Sequence, residues 1–411
     1  MQKYAGAVIP MQQNTNYFFY SGTESTLNTI RDVPSLPPFS EEVISYLDDV
    51  AKLLLKNALS KQYPDVITFA FWCRRASTMK MSEPYRTSVN RMGRGVIFHI
   101  APSNVPVNFA YSLAVGLLAG NANIVRVPSK EFEQIGIIVK AFESAFDTHS
   151  QMRSRIILLR YGHDQNVTDR LSSLCDVRII WGGDDTIAAI RASPLLPRAT
   201  DIVFADRYSF SIINADSYLA SGKPEQLAQD FYNDTYLNDQ NACTSPQLII
   251  WIGTKRREAK ELFWTTLHKL VQKKYDLKPV QAVGKLSAAC KISMKYDVTI
   301  VPAPDNYIVR IQIKQLSPEL MDYKYHSGFF LEYDAQSIDE MIPMCTEKCQ
   351  TISYYGVPED LILSCILHSG KKGVDRIVPV GKTLDFDLTW DGYDLIDRMT
   401  RIIKINHNHH N

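Results

Sequence analysis

Apolar positions along the chain follow two periods. Val43, Ile44, Leu47, Val50, Leu54 and Leu55 recur at helical spacing behind Ser40, Glu41 and Glu42, which predicts a helix capped by Ser40 with acidic residues in its first turn. The preceding stretch 31–39, rich in proline, reads as a loop, and a second helix is expected over about 64–80. From Gly95 the apolar runs shorten. Segments 95–101, 123–127, 155–160, 177–181 and 202–204 read as strands, with helices from about 106, over 131–146 and in the later gaps. Strand-like runs alternating with helices predict a parallel sheet covered on both faces, so residues 90–235 read as a doubly wound α/β domain. A second alternating set follows Cys243: strands at 248–252, 299–301, 329–333 and 351–354, and helices at 255–275 and 360–368. The tail 384–405 alternates less clearly. We expect three parts: N-terminal helices with a dinucleotide-binding domain (1–237), a catalytic cysteine domain (238–383), and a segment (384–411) that returns to the cofactor domain or an oligomer interface.

Composition narrows the class. The chain has 411 residues, 45% of them hydrophobic, enough for a sizeable core and against wholesale disorder. Its net charge of +1 argues against a general nucleic-acid binder. Seven cysteines form no disulfide framework and favour a reducing compartment. The N-terminus lacks a secretory pattern, and the apolar run 105–120 is short of the roughly 20 residues a membrane span needs. A cytoplasmic protein without a membrane span is the expectation. The histidines of 407–411 read as a solvated end rather than a metal site.

Three segments carry candidate chemistry. In Ala101-Pro102-Ser103-Asn104-Val105-Pro106, an asparagine follows a strand and precedes a helix, where its amide could donate to a developing oxyanion. In Asn123-Ile124-Val125-Arg126-Val127-Pro128-Ser129-Lys130, a strand ends in cationic and turn residues, where open α/β sheets bind nucleotides. In Asp239-Gln240-Asn241-Ala242-Cys243-Thr244-Ser245, a cysteine sits in a polar loop before a strand, the setting of a nucleophile rather than a core thiol. Taken singly, each has a commoner structural explanation: a turn asparagine, a surface cation, a lone thiol. Gly182-Gly183 opens a helix after a strand and would let a pyrophosphate approach, although Asp184 and Asp185 equally make a helix cap. Cys345 and Cys349 lack the second pair that a zinc site requires, so no metal site is expected. His99 is expected in the sheet core.

Together and in this order, the segments resemble the aldehyde dehydrogenase superfamily and, more closely, the LuxC-type acyl-CoA reductases, with Glu347-Lys348-Cys349-Gln350-Thr351-Ile352 adding to the likeness. The resemblance runs from about 94 to 356. It implies an aldehyde dehydrogenase-like α/β fold: a Rossmann-like cofactor domain plus a second α/β catalytic domain. It makes Cys243 the nucleophile and Asn104 the oxyanion donor. Arg126, Pro128, Ser129, Gly182 and Gly183 become the cofactor-binding residues. NADPH is the implied cofactor, and an acyl-CoA or an acylated partner protein the implied acyl donor. A homo-oligomer is implied as well. Ordinary aldehyde dehydrogenases carry a water-activating Glu before the nucleophile. The corresponding stretch 204–210 has Asp206 but no such Glu, as suits an enzyme that must not hydrolyse its acyl intermediate. The implied reaction is NADPH-dependent reduction of a fatty acyl thioester to the aldehyde. The rivals are a cysteine acyltransferase or thioesterase without nicotinamide, for which no His–Asp pair has a recognisable local signature, and a non-catalytic scaffold.

Overall fold

The computed structural model describes residues 17–86, 90–103 and 105–405. The chain divides into two compact units, one of residues 1–205 with 394–411 and one of residues 206–393.

The first unit holds the strands β1 (Tyr17–Ser21), β2 (Asn90–Gly93), β3 (Val96–Ile100), β4 (Ala122–Arg126), β5 (Ile156–Tyr161), β6 (Val177–Trp181) and β7 (Thr200–Phe204). Six of them form one sheet in the order β1-β5-β4-β3-β6-β7, parallel except for β1. Chain order reverses at β3: β4 and β5 step to one side, β6 and β7 to the other. β2 instead pairs antiparallel with Thr400–Ile403, which brings the C-terminal segment back to this unit.

Burial on both faces explains why these strands read as continuous apolar runs. Val96, Phe98, Ile100, Ile124, Ile157, Leu159 and Ile180 share one core. On the other face lies His99, fully buried, its ring nitrogens bonded to Ser112 Oγ (2.8 Å) and Asn123 Oδ1 (2.9 Å). Burial lowers the His99 pKa to about 4, so it is a neutral packing residue. The helix Asn108–Leu118 comes so close here that a Cβ at Gly116 would stand 2.0 Å from Asn123 Oδ1.

The expected helix over 64–80 is two helices, Pro64–Cys73 and Arg75–Ser82, because Arg74 is extended (ψ 144) and the Asp48 carboxylate accepts the Arg75 N–H at 2.8 Å. Ser40 does occupy the N-cap of Glu41–Lys56, but its hydroxyl makes no capping bond.

The second unit holds β8 (Tyr208–Asn214), β9 (Pro246–Ile252), β10 (Val298–Val301), β11 (Val309–Ile313), β12 (Phe329–Asp334), β13 (Cys349–Tyr355) and β14 (Arg376–Pro379), in the order β10-β11-β12-β9-β8-β13-β14. Only β10 is antiparallel to its neighbour. Alternate residues feed two cores: Leu248, Ile250, Phe210 and Ile212 point to one face, and Ile249, Trp251 and Ile213 to the other. The expected division at 237/238 therefore differs from the observed one at 205/206. β8 lies between β9 and β13, so residues 206–237 belong with the cysteine rather than with the first sheet. Likewise 384–393 stays with the second unit, and only 394 onward returns to the first. Cys345 and Cys349 are both buried in a core of this unit.

Candidate active site

The loop between the 3-10 turn Tyr236–Asn238 and β9 carries Cys243. Its backbone turns sharply because Asp239 and Gln240 both hold positive φ (57°), a strained conformation that persists only where neighbours over-determine it. Gln240 supplies that constraint. Its side-chain N–H groups donate to the carbonyls of Pro246 (2.9 Å) and Phe329 (3.1 Å), and its Oε1 accepts the N–H groups of Gly328 (3.0 Å) and Phe329 (3.3 Å). The cysteine loop is thereby tied to the loop that enters β12. From β8, the Ser209 hydroxyl donates to the Cys243 carbonyl at 2.7 Å and accepts the Thr351 N–H at 3.2 Å.

Cys243 is partly exposed and lines a cavity of about 210 Å³ together with Asp206, Arg207, Lys324, Tyr325 and His326. Its thiol pKa is pushed up to about 12, first by burial and then by the Asp391 and Asp206 carboxylates; a hydrogen bond from the Gln350 amide and the Lys324 charge oppose the shift. The resting group is thus a thiol. Gln350 also donates to Asp391, whose carboxyl burial raises to about 6 against the pull of Gln350, Arg207 and Arg376. Lys324 Nζ lies 3.1 Å from both Asp206 carboxylate oxygens. Asp206 is therefore held by a cation at the cavity wall.

The same cavity contains a histidine backed by a carboxylate. His326 Nδ1 lies 2.7 Å from Ser327 Oγ and 3.4 Å from Asp239 Oδ2. The Ser327 hydroxyl and the Tyr275 hydroxyl both donate to Asp239 Oδ1. Burial works against the Asp239 charge, but His326, Tyr275 and Ser327 hold its pKa down at about 2. A His–Asp pair thus presents its histidine to the cavity that Cys243 lines, where no local signature announced one. The pair is far apart in sequence; of the two, only Asp239 fell in a segment with recognisable chemistry.

The expected cofactor residues sit on the first unit. Arg126 ends β4, and Pro128 (buried) and Ser129 (exposed) follow it. Gly182 and Gly183 follow β6 and open the helix Asp184–Arg191. These groups flank the carboxyl end of β3, where strand order reverses and open α/β sheets take ligands. A Cβ at Gly183 would meet nothing within 4 Å, and its φ is −72°, so the fold itself does not demand glycine there. An open approach to a helix N-terminus suits a phosphate, whereas the Asp184 and Asp185 carboxylates in the first turn oppose one. Arg126 Nη2 donates to the carbonyls of Tyr161 (3.3 Å) and Gly162 (3.2 Å), and its guanidinium lies 4.4 Å over the Tyr161 ring. Part of Arg126 is therefore spent on holding the strand ends. Asn104 and the histidines of 407–411 lie outside the described residues. Among the described residues no cluster of metal-ligating side chains occurs, and no helix is long and apolar enough to cross a membrane.

Comparison with known proteins settles the family. Residues 15–300 match the model of the acyl-CoA reductase (LuxC) family. The chain belongs to that family. Similar curated proteins include the long-chain acyl-protein thioester reductases of Aliivibrio fischeri, 28% identical over 312 residues, and Vibrio harveyi, 26% identical over 305. Each match covers 71% of this chain and 60% of the relative's length. Among solved structures, a lactaldehyde dehydrogenase aligns over 93% of this chain and 90% of its own, with TM-score 0.64 at 13% identity. The aldehyde dehydrogenase 21 of Physcomitrella patens covers 94% and 90%, with TM-score 0.64 at 11% identity. The fold of this LuxC-family chain is that of the aldehyde dehydrogenases.

Proposed function

We propose that the protein reduces a long-chain fatty acyl thioester to the aldehyde through an acyl-enzyme on Cys243, with NADPH as reductant. The observation that carries this reading is the Cys243 cavity. A thiol lies in a braced turn at an open cavity, and the Asp206 carboxylate there is engaged by Lys324 rather than offered to water. The names of the relatives, long-chain acyl-protein thioester reductases, support the substrate class. One solved neighbour, a Thermus 1-pyrroline-5-carboxylate dehydrogenase, is described with bound NAD, which supports a nicotinamide. The choice of NADPH rests on the family resemblance.

In this reading the Cys243 thiolate attacks the acyl carbonyl, and the donor thiol leaves. The Cys243 main-chain N–H holds the oxyanion, and Asn104 keeps the donor role that the resemblance gives it; one such donor is typically worth about 3–4 kcal/mol. Arg126, Pro128, Ser129, Gly182 and Gly183 would hold the dinucleotide, which when bound supplies the hydride that converts the acyl-enzyme to a thiohemiacetal. Collapse of that adduct releases the aldehyde and restores Cys243. The acyl donor is an acyl-CoA or an acylated partner protein. The exposed Ile402, Ile403 and Ile405 at the C-terminal strand support a homo-oligomer, and seven free cysteines support a cytoplasmic setting.

The second reading, a cysteine acyltransferase or thioesterase without nicotinamide, is favoured by one observation: the His326–Asp239 pair in the cavity. Incubation with tetradecanoyl-CoA, followed by intact-mass analysis and aldehyde assay, separates the two. The reductase acquires the acyl mass at Cys243, retains it without NADPH, and yields aldehyde when NADPH is added. Release of free acid at the same rate with or without NADPH would establish the second reading instead.

A further inference from the structure

We infer that His326, oriented by Asp239, is the proton-transfer group of the Cys243 site, taking the thiol proton as the acyl-enzyme forms and returning it to the departing thiolate. The inference rests on the acyl-enzyme reading above. It names the group that a neutral resting thiol requires, since the thiolate is the nucleophile.

Three observations carry it. First, the loops bearing the two residues are built as one piece. Besides the four Gln240 bonds, the Ser327 N–H donates to the Asp239 carbonyl (3.2 Å), and the buried Lys285 ammonium donates to the Ser327 carbonyl (2.7 Å). Asp239, Gln240 and Ser327 all hold positive φ, and at Gly328 (φ 85°) an added Cβ would meet Tyr236 Oη at 2.2 Å and the Tyr307 carbonyl at 2.5 Å. Strain held this tightly is a mark of positioned groups.

Second, the network selects a tautomer. The single Ser327 hydroxyl hydrogen goes to Asp239 Oδ1, so Ser327 Oγ accepts from His326 Nδ1–H. In the neutral ring this arrangement puts the lone pair on Nε2, on the other side from Ser327. A ring whose Nδ1–H is turned to Ser327 Oγ, itself bonded to the Asp239 carboxylate, presents Nε2 as a general base does. Tyr325 stacks on the imidazole with ring centroids 4.3 Å apart and holds the ring plane.

Third, His326 shares the cavity with Cys243 and keeps about a third of its side-chain surface exposed. The charged and titratable groups around it are Asp239 and Tyr275 on its supporting side, with Lys285 behind them on the Ser327 carbonyl, and Asp206, Arg207, Tyr208, Cys243, Lys324 and Tyr325 around the cavity.

The step is a balanced thioester exchange. The Cys243 S–H bond breaks and the proton passes to His326 Nε2. The new S–C bond forms as the donor's C–S bond breaks, and the imidazolium returns the proton to the departing sulfur. No electrons change hands, and reduction follows separately.

The test is the single-turnover rate of Cys243 acylation by tetradecanoyl-CoA, followed by intact mass across pH 6 to 10, in the full chain and in its His326→Gln and Asp239→Asn variants. His326→Gln should slow acylation by about 100-fold at pH 7. Added imidazole should restore part of the rate, and the deficit should shrink as pH rises and thiolate forms without help. Asp239→Asn should show a smaller deficit of the same pH form. Acylation of His326→Gln at the parent rate, or a deficit that neither imidazole nor pH relieves, overturns the inference while leaving the reductase reading intact. A parent protein that thioesters do not acylate removes both.

Discussion

The Ser209 hydroxyl donates to the Cys243 carbonyl at 2.7 Å while accepting the Thr351 N–H, so one side chain of β8 joins the cysteine turn to β13. A buried hydrogen bond of this kind contributes about 1 kcal/mol, and leaving its partners unpaired costs somewhat more. Ser209→Ala should lower stability by about 1–2 kcal/mol in urea unfolding and slow Cys243 acylation. Ser209→Thr, which keeps the hydroxyl, should recover part of the acylation rate. Unchanged acylation in Ser209→Ala would show that the turn is braced sufficiently by Gln240.

The raised thiol pKa of Cys243 predicts slow alkylation. Iodoacetamide should modify Cys243 far more slowly at pH 7 than a free thiol, and the rate should climb about tenfold per pH unit up to pH 10, because thiolate is the reactive form. After burial, Asp391 is the largest cause of the shift. Asp391→Asn removes that charge and should speed alkylation at pH 8 by roughly tenfold, equivalent to about one pKa unit. Peptide mapping after partial modification reads both effects.

Asp391 itself makes stability depend on pH. Its folded pKa of about 6 lies above the ordinary 3.8, so the folded state holds its proton more tightly than the unfolded chain. The stabilisation is complete below pH 3.8 and is lost as pH rises through 6, an effect of roughly 3 kcal/mol at most. Asp391→Asn should therefore gain stability relative to the parent between pH 5 and 8, with the difference widening as pH rises. A stability difference that stays flat across this window in chemical denaturation would contradict the assignment.

On the first unit, Arg126→Ala should weaken NADPH binding by about tenfold or more in a fluorescence titration, and Gly183→Val should weaken it by closing the open approach to the helix N-terminus. Neither should change Cys243 acylation measured without cofactor. Equal NADPH affinity in both variants would remove these residues from the cofactor site.

Glu332 of β12 is fully buried. It accepts the indole N–H groups of Trp251 (2.9 Å) and Trp264 (2.7 Å) at one oxygen and Arg310 Nε (2.7 Å) at the other. Glu332→Leu leaves three donors unpaired and should cost about 3–5 kcal/mol, visible as a lowered urea midpoint with an unchanged slope.

The alternation of strands and helices was legible in the chain because side-chain periodicity is a local property of the backbone, and strands buried on both faces, such as Leu248–Ile252, announce themselves as apolar runs. Tyr208–Asn214 passed unread as a strand because polar Ser209 and Ser211 interrupt its apolar positions. The structure uses both hydroxyls, Ser209 on the cysteine turn and Ser211 on Ser353 at 2.6 Å. The single expected helix over 64–80 is two because a carboxylate from a distant helix, Asp48, caps the second.

By itself the sequence determined the α/β class, the family, and Cys243 as the thiol in a polar loop before a strand. Only the tertiary structure decided which partners that thiol keeps. Gln350 and Asp391 lie more than a hundred residues downstream, and His326 reaches Asp239 across the gap between two loops. Hydrophobic periodicity records which side of its own element a residue faces. Proton-transfer partners and local charge depend on which elements the sheet order makes neighbours, and β8, β9, β12 and β13 become neighbours only when the sheet assembles.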